Sequence, residues 1–303
     1  MLDVRRLRVL SEVAAQGSFS AAGHALTLTQ SAVSQHIAAL EREVGQALVE
    51  RGTRPIQLTD AGYALTRHAT GIFARLDGAE QELEELAGRR HGRLRFGSFP
   101  TALGTFVPAA FSRFRQRHPE VALLVVDDHL QRLVPRLEAG ELDLALIYEH
   151  DALPDVAARD LVRVPLLADP FKVVLPARHR LARRRALELE ELAGETWIGG
   201  GPTSAWYRIV RHACASAGFT PQARFTTDDS VAVQALVAAE LGIGVIPGLA
   251  LTRPLPKVAV RPLPPDGPTR RISAARPRDA YHGPAVGAMV EALEHAAREI
   301  APP

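Results

Sequence analysis

The feature that most constrains the fold of this chain is an apolar stripe that begins at residue 65. Its members recur at intervals of four, three, four, three, four and three residues, which keeps them on one side of an α-helix over three heptads. They are Leu65, Ala69, Ile72, Leu76, Ala79, Leu83 and Leu86. Such a repeat is typical of a two-stranded coiled coil, so residues 61–88 are predicted to form a linker helix that pairs with a second copy. A long helix packed on its own chain is the alternative.

Three shorter helices are predicted ahead of this stripe. The first has apolar residues at helical spacing and ends near Gly17, and Ser18 or Ser20 can cap the second. Thr29 can cap a third helix over residues 30–44, because a glycine follows where helices commonly end.

The third helix has one apolar face and a polar start. The apolar face carries Val33, Ile37, Leu40 and Val44. The opposite face carries Gln30, Ser31, Ser34 and Gln35. Short hydroxyl or amide side chains at the start of a helix can reach base edges in the major groove of DNA. The pattern therefore predicts a recognition helix, and a small helical domain with a solvated polar face is the alternative.

Residues 48–51 and 56–58 predict two short strands that form a wing with its tip at residues 52–55. A wing of this kind places Arg54 beside a phosphate or in the minor groove. The first 60 residues contain six arginines and six acids, so the prediction of DNA binding rests on pattern and not on net charge. The predicted DNA-binding side chains are Thr29, Gln30, Ser31, Ser34, Gln35, His36, Arg51 and Arg54.

Several segments of this region resemble the LysR-type transcriptional regulators, without gaps over about 60 residues. They are Gly17-Ser18-Phe19-Ser20-Ala21-Ala22, Leu28-Thr29-Gln30-Ser31-Ala32-Val33-Ser34-Gln35-His36-Ile37, Leu40-Glu41 with Gly45, and Leu58-Thr59-Asp60-Ala61-Gly62. Where the family commonly has Ser-Arg-Gln-Ile, this chain has Ser34-Gln35-His36-Ile37. Gln35 thus takes the place of a base-reading arginine, and glutamine favours adenine where arginine favours guanine.

The chain changes character after a polar hinge at residues 88–93. Short apolar runs then alternate with helical patterns, which predicts βαβ units and a parallel sheet. The predicted strands are 94–97, 121–126, 142–148, 171–175, 197–198, 223–227, 243–246, 258–261 and 271–275, and the predicted helices are 107–117, 130–139, 206–217, 230–241 and 284–300.

The LysR resemblance continues more loosely through this region and implies two α/β lobes in a periplasmic-binding-protein-like fold. It is carried by Gly97, Pro108, Phe114, His118-Pro119, residues 140–145 and residues 242–247. The chain is expected to cross between lobes near residues 161–165 and to return near 265–270, where prolines form a stiff connector.

The predicted fold class is therefore α+β multidomain. It comprises a winged helix-turn-helix at 1–60, a linker and dimerisation helix at 61–88, and a two-lobed α/β effector-binding domain at 89–303, with lobe I at about 92–162 and 269–303 and lobe II at about 163–268.

Ligands of open α/β sheets bind beyond the carboxyl ends of the strands, between the lobes. This rule nominates Ser98, Phe99, Thr101, Asp128, Leu130, Glu149, Gly201, Thr203, Trp206 and Asp228 as effector-binding residues. Ser98 and Thr101 precede a predicted helix whose N-terminal amides could hold a carboxylate. The acids, Asp229 among them, favour an amine or a hydroxyl instead. The chemistry of the effector is left open, and an ordinary loop or cap role is the alternative for each residue.

The resemblance also implies the partners. They are double-stranded DNA with an inverted-repeat operator, a small-molecule effector, and further copies of the chain in a homodimer and homotetramer. RNA polymerase is a further candidate partner, and no cofactor or metal is expected.

Composition and motifs count against other classes of protein. The chain is 47% hydrophobic and 23% charged, as globular proteins are, and its start has no apolar segment of a signal peptide. The most apolar stretch, residues 231–251, contains Gln234, Glu240 and Pro247, so no membrane span is expected. A single cysteine, Cys214, excludes an intramolecular disulfide and favours the cytoplasm.

An enzyme is not expected, because the chain has no Walker loop, no H-E-x-x-H and no G-x-S-x-G motif. The alternative from another class is a cytoplasmic solute-binding or interaction protein that does not bind DNA. The polar face of the third helix counts against it.

Overall fold

The computed structural model describes residues 1–50, 55–86, 92–153, 161–278 and 283–300. They form two compact units, Met1–Arg90 with Glu138–Glu141, and His91–Leu137 with Leu142–Pro303. Each unit is built on its own cluster of buried apolar side chains.

The first unit begins with the three predicted helices and continues into the long one. They are α1 (Val4–Gln16), α2 (Phe19–Leu26), α3 (Gln30–Val44) and α4 (Asp60–Leu86). Ser18 caps α2 by accepting the amide of Ala21, and Thr29 caps α3 by accepting the amide of Ala32 at 3.1 Å. Gly45 ends α3 with a left-handed φ of 72°. The predicted boundaries of these helices are confirmed because they depend on local capping chemistry.

The base of the predicted wing is present next to α4. Val49 bridges Leu58 in antiparallel fashion, and the amide of Glu50 donates to the carbonyl of Gln57 at 2.9 Å. A Cβ at Gly62 would lie 2.1 Å from the carbonyl oxygen of Leu48, so α4 can start against this strand only with glycine there. Arg51 and Arg54, with the tip between them, lie outside the described residues.

The apolar stripe of α4 divides into two parts. Ala69 is fully buried and Leu65 is half-buried, because both pack on the core of their own unit. Ile72, Leu76 and Leu83 are 36%, 45% and 65% exposed, and Ala79 is exposed as well. Ala69 therefore cannot contact a partner as predicted, since no surface of it remains free. The side chain of Leu86 lies outside the description.

In the second unit, lobe I contains β1 between two parallel neighbours, β2 and β3. Its elements are β1 (Arg93–Ser98), α5 (Pro100–Leu103), α6 (Val107–Arg117), β2 (Ala122–Asp127), α7 (Leu130–Glu138), β3 (Leu144–Glu149) and α10 (Pro284–Ile300). Lobe II contains β5 (Trp197–Gly199), α8 (Ala205–Ser216), β6 (Ala223–Thr226), α9 (Ser230–Ala238), β7 (Gly244–Pro247) and β8 (Val258–Pro262), and one-turn 3₁₀ helices at Arg180–Arg183, Leu189–Leu192 and Gly248–Leu251.

Two long strands, β4 (Leu161–Pro176) and β9 (Thr269–Pro277), carry the chain between the lobes. They are antiparallel to each other, β9 also pairs with β3, and β4 continues into pairings with β7 and β8. The expectation of a parallel sheet is thus wrong for these crossing strands. They run in opposite directions because one enters lobe II and the other returns from it.

Candidate DNA-reading helix and effector cleft

The polar start of α3 is presented to solvent. Thr29 and Ser31 are exposed, and their hydroxyls share a hydrogen bond of 2.9 Å while Thr29 also caps the helix. Gln30, Ser34 and Gln35 are exposed, and their side chains form no hydrogen bond with another residue of the described ranges. The side-chain amides of Gln30 and Gln35 and the hydroxyl of Ser34 are therefore available at the N-terminal end of α3. This is the end that a recognition helix directs at base edges.

Packing behind α3 fixes the direction of these side chains. Val33, Ile37 and Leu40 are buried against α1 and α2, and His36 is half-buried beside them. The turn into α3 is tight, because a Cβ at Gly23 would lie 2.7 Å from the carbonyl oxygen of Leu28. The short turn and the buried apolar face together fix the orientation of α3.

The base of the wing is fixed to the same helix. Glu41 of α3 accepts the amide of Leu48 at 2.9 Å, and Glu43 pairs with Arg6 of α1 at 3.0 Å. These acids hold the unit together near the end of α3 that is remote from its free amides.

The predicted effector-binding residues lie on both lobes of the second unit, and the space between these lobes is the candidate effector cleft. On its rim the side-chain amide of Gln131 in α7 donates to the carbonyl of Thr203, so lobe I and lobe II already touch there. The carboxylate of Asp228 accepts the amide of Gly201 at 3.3 Å. Thr203, Gly201 and Asp228 thus lie together after strands β5 and β6, and they form the lobe II side of the candidate cleft.

A buried cation lies at the base of the cleft. Arg270 of β9 is 3% exposed and pairs at 2.8 Å with Asp169 of β4, which is 2% exposed. Its guanidinium also donates to the hydroxyl of Thr101 at 2.6 Å. The rings of Phe99 and Tyr148 lie 4.8 and 4.7 Å from its central carbon, within the range of cation–π contact. Arg270, Asp169 and Tyr148 are not among the effector-binding residues predicted from the sequence.

Residues of both lobes affect the pKa of Tyr148. Burial raises the pKa of its phenol, and the Asp228 carboxylate of lobe II raises it further, while Arg270 acts in the opposite direction. The net pKa is above the usual 10.0, so the phenol is protonated at neutral pH and can donate a hydrogen bond.

Some nominated effector residues belong to the core. Ser98 is fully buried and donates to the carbonyl of Phe99 at 3.2 Å, and Phe99 itself is 3% exposed. Leu130 and Trp206 are 7% and 8% exposed and pack in the main apolar cluster. In this conformation their burial leaves little surface for a ligand, because the first turns of the helices after these strands direct their apolar residues inward.

The predicted carboxylate site at residues 98–101 receives little support from the local hydrogen bonds and stays a prediction. The helix there, α5, is a single turn that begins with Pro100, which has no N–H. The amides of Ala102 and Leu103 both donate to the carbonyl of Phe99, and the hydroxyl of Thr101 accepts from Arg270. Few donors remain for an anion.

Most of the nominated acids have partners that explain them. Asp128 accepts from Arg132 at 2.6 Å and from the amide of His129; burial acts to raise its pKa, but these hydrogen bonds outweigh it and lower the pKa. Glu149 pairs with Arg163 at 2.8 Å, and Asp229 caps α9. Asp228 is the nominated acid with no cation partner among the described residues. The signal for an amine or hydroxyl ligand therefore reduces to Asp228.

Other kinds of site receive no support from the residues that the structure describes. Among them no group of three metal-ligating side chains could hold a metal ion. No helix in these ranges is long and apolar enough to cross a membrane. Cys214 lies buried in α8, and burial raises the pKa of its thiol to about 12, so it is not a reactive thiolate.

Two family models match the chain. Residues 4–63 match the bacterial regulatory helix-turn-helix protein of the lysR family, and residues 87–298 match the LysR substrate binding domain.

Curated relatives agree over most of their length. The transcriptional regulator ShiR of Corynebacterium glutamicum is 32% identical over 247 residues, covering 80% of this chain and 82% of that protein. CfxR of Cupriavidus necator is 30% identical and covers 81% and 75%, and GltC of Bacillus subtilis is 26% identical and covers 96% of both chains.

Solved structures share the whole fold. CbnR, a LysR family transcriptional regulator, superposes with a TM-score of 0.69 at 20% identity, covering 98% of this chain and 99% of that one. Full-length OxyR of Pseudomonas aeruginosa gives 0.70 at 21% identity, covering 98% and 95%. The arrangement of helix-turn-helix, linker helix and two-lobed domain is therefore one that known proteins adopt.

Proposed function

Because the chain belongs to the LysR family of bacterial transcriptional regulators, we propose which of its residues carry each step of regulation. Members bind DNA and a small-molecule effector and form oligomers, and this protein is such a regulator. The observation that carries the assignment is the free polar start of α3, backed by a buried core. The rival, a solute-binding protein without DNA binding, is not favoured, because residues 4–63 match the helix-turn-helix model of the family.

Base reading is assigned to the amides of α3. Gln35 can form two hydrogen bonds with adenine, and Gln30 and Ser34 lie beside it on the exposed face. Thr29 and Ser31, with the first amides of the helix, are proposed to bind phosphate, and His36 stays a proposed DNA contact. Arg51 and Arg54 of the wing remain predicted phosphate or minor-groove contacts.

Dimerisation is assigned to the exposed half of the α4 stripe. Ile72, Leu76, Ala79 and Leu83 keep a spacing of four, three and four on one face. Leu65 is half-buried in its own unit, so it lies only at the edge of the proposed seam. Two recognition helices joined in this way would read an inverted repeat. We extend the proposal to a homotetramer.

The effector is assigned to the cleft of the second unit. Thr101, Gly201, Thr203 and Asp228 remain from the predicted set, and Tyr148 joins them. The phenol and the unpaired carboxylate favour an effector with a hydroxyl or amine. We retain the divisions at 1–60, 61–88 and 89–303 as working boundaries.

Further parts of the proposal follow from the role. The protein acts without a catalytic step, in the cytoplasm, because bacterial operator DNA lies there. RNA polymerase is the candidate partner that would read the outcome.

A gel-shift titration tests the DNA-binding assignment. The probe is the intergenic DNA beside the protein's own gene, at low salt, and a shuffled duplex of the same length is the competitor. We expect preferential binding that is lost in the triple variant Gln30→Ala, Ser34→Ala, Gln35→Ala. Gln16→Ala, which removes an exposed amide from α1, is the matched control and should bind normally. Equal binding by wild type and the triple variant contradicts the assignment.

A further inference from the structure

The ion pair at the base of the cleft joins the two strands that connect the lobes. Asp169 and Arg270 are direct partners in the β4–β9 ladder, at the end of that ladder that enters lobe II. Both side chains are almost fully buried. A buried pair of charges resists rearrangement, because neither partner can turn to water when it loses the other.

Arg270 extends this pair into lobe I. Its guanidinium donates to Thr101 in α5 and lies over the rings of Phe99 and Tyr148, at the ends of β1 and β3. One cation therefore holds the three residues that form the lobe I side of the cleft base.

Asp169 extends the pair into lobe II. Its second oxygen accepts the amide of Leu249 at 2.9 Å, in the 3₁₀ turn Gly248–Leu251. The approach is close, since a Cβ at Gly248 would lie 2.9 Å from this oxygen and 2.8 Å from the carbonyl of Pro170. The chain of contacts runs from Thr101 through Arg270 and Asp169 to Leu249, from one lobe to the other.

The same series of contacts begins at the surface of the cleft. Thr101 is half-buried, and its hydroxyl keeps its own proton available while it accepts from Arg270. Arg270 lies over the ring of Tyr148, and the carboxylate of Asp228 acts to raise the pKa of the Tyr148 phenol. A ligand hydroxyl or amine that donates to the Thr101 oxygen competes with Arg270 for that acceptor.

We propose that Arg270 is the positioning residue that converts occupancy of the cleft into a change of the angle between the lobes. This inference rests on the proposed function only in taking the cleft as the effector site. When a ligand displaces Arg270 from the Thr101 oxygen, the guanidinium stays paired with Asp169, and its movement is passed through Asp169 to the Leu249 turn. The lobes thus have discrete arrangements that depend on the partner of one guanidinium.

Distances between spin labels in the full-length protein test this proposal. One label is placed at Gln116→Cys on α6 of lobe I and one at Ala235→Cys on α9 of lobe II, both exposed positions. Labelled chains are diluted with unlabelled ones, so that the measured distance lies within one chain. Cys214 stays unlabelled because it is buried and its thiol pKa is raised.

Three variants remove the coupling in different ways. Arg270→Lys keeps the positive charge but loses the planar guanidinium that donates to Asp169 and Thr101 at once. Thr101→Val and Tyr148→Phe each remove a hydroxyl and leave the ion pair intact. We expect Arg270→Lys and Thr101→Val to shift or broaden the distance by more than about 2 Å, and Tyr148→Phe to do so less. Arg95→Lys is the control, because Arg95 pairs with Asp143 at 2.6 Å within lobe I.

The outcomes separate the two proposals. A distance in Thr101→Val and in a folded Arg270→Lys that equals that of wild type and Arg95→Lys overturns the inference, while the gel shift still tests the regulator. If Arg270→Lys does not fold, an unchanged Thr101→Val distance suffices to overturn it. A shift in Thr101→Val without a shift in Arg95→Lys supports it, whatever the operator proves to be.

Discussion

Polar side chains have opposite environments in α3 and at the base of the cleft. Gln30, Ser34 and Gln35 are exposed and unpartnered among the described residues, whereas Asp169 and Arg270 are buried and fully engaged. The fold does not need hydrogen bonds from the first set, and the partner that we propose for it is DNA. The second set is part of the fold, so its effect on a ligand is inseparable from stability.

The largest expected effect comes from breaking the buried pair. Asp169→Leu or Arg270→Met should each lower the free energy of unfolding of the second unit by about 3–5 kcal/mol, because an unpaired charge stays buried. The measurement is denaturant unfolding followed by circular dichroism.

Controls make this prediction specific. The double variant should recover much of the loss, since it leaves no buried charge. Arg132→Ala breaks a pair whose arginine is 71% exposed and should cost about 0–1 kcal/mol. A single variant that is as stable as Arg132→Ala would show that the pair does not hold the lobes.

The next effect concerns the exposed half of the α4 stripe. Leu76→Glu should convert dimers to monomers in light scattering, because a charge would enter an apolar seam. Tyr63→Glu is the matched control, being 62% exposed on the same helix but off the stripe. Dimers that persist in Leu76→Glu would place the interface elsewhere.

A smaller effect is expected for the exposed polar side chains of α3. Gln35→Ala should cost about 1–3 kcal/mol of binding at one base pair and leave unfolding unchanged. Gel shifts against a panel of single-base operator variants measure it, and Gln35→Arg should move the preference from adenine towards guanine. An unaltered base preference would mean that Gln35 does not read a base.

The two regions also differ in how far the sequence could predict them. The caps at Thr29 and Gly45 act within a few residues, so the bounds of α3 could be read directly. Arg270 and Asp169 are 101 positions apart, and nothing in either segment identifies its partner. The predicted strand, 271–275, also begins one residue too late to include Arg270, whereas β9 begins at Thr269.

Periodicity has a similar limit. The stripe from Leu65 to Leu83 shows which residues share a face of α4, but it does not show what packs on that face. The structure places Ala69 in its own core and leaves Leu76 exposed. Strand ends likewise indicated where a cleft lies, but not which side chains there turn inward, as Ser98 and Leu130 do.

The smallest expected effect sharpens the link between the lobes. Asp228→Asn should lower the pKa of Tyr148, because the carboxylate of lobe II now raises it, although burial, the larger cause, will keep the pKa above its usual value. Tyrosine-labelled NMR titration measures the shift. Tyr207 is the internal control, since burial also raises its pKa but Asp228 is not among the causes. Because the pKa of Tyr148 is raised in the folded state, its contribution to stability is complete below pH 10 and is lost as pH rises further. An identical Tyr148 titration in Asp228→Asn would mean that the two groups do not face each other across the cleft in solution.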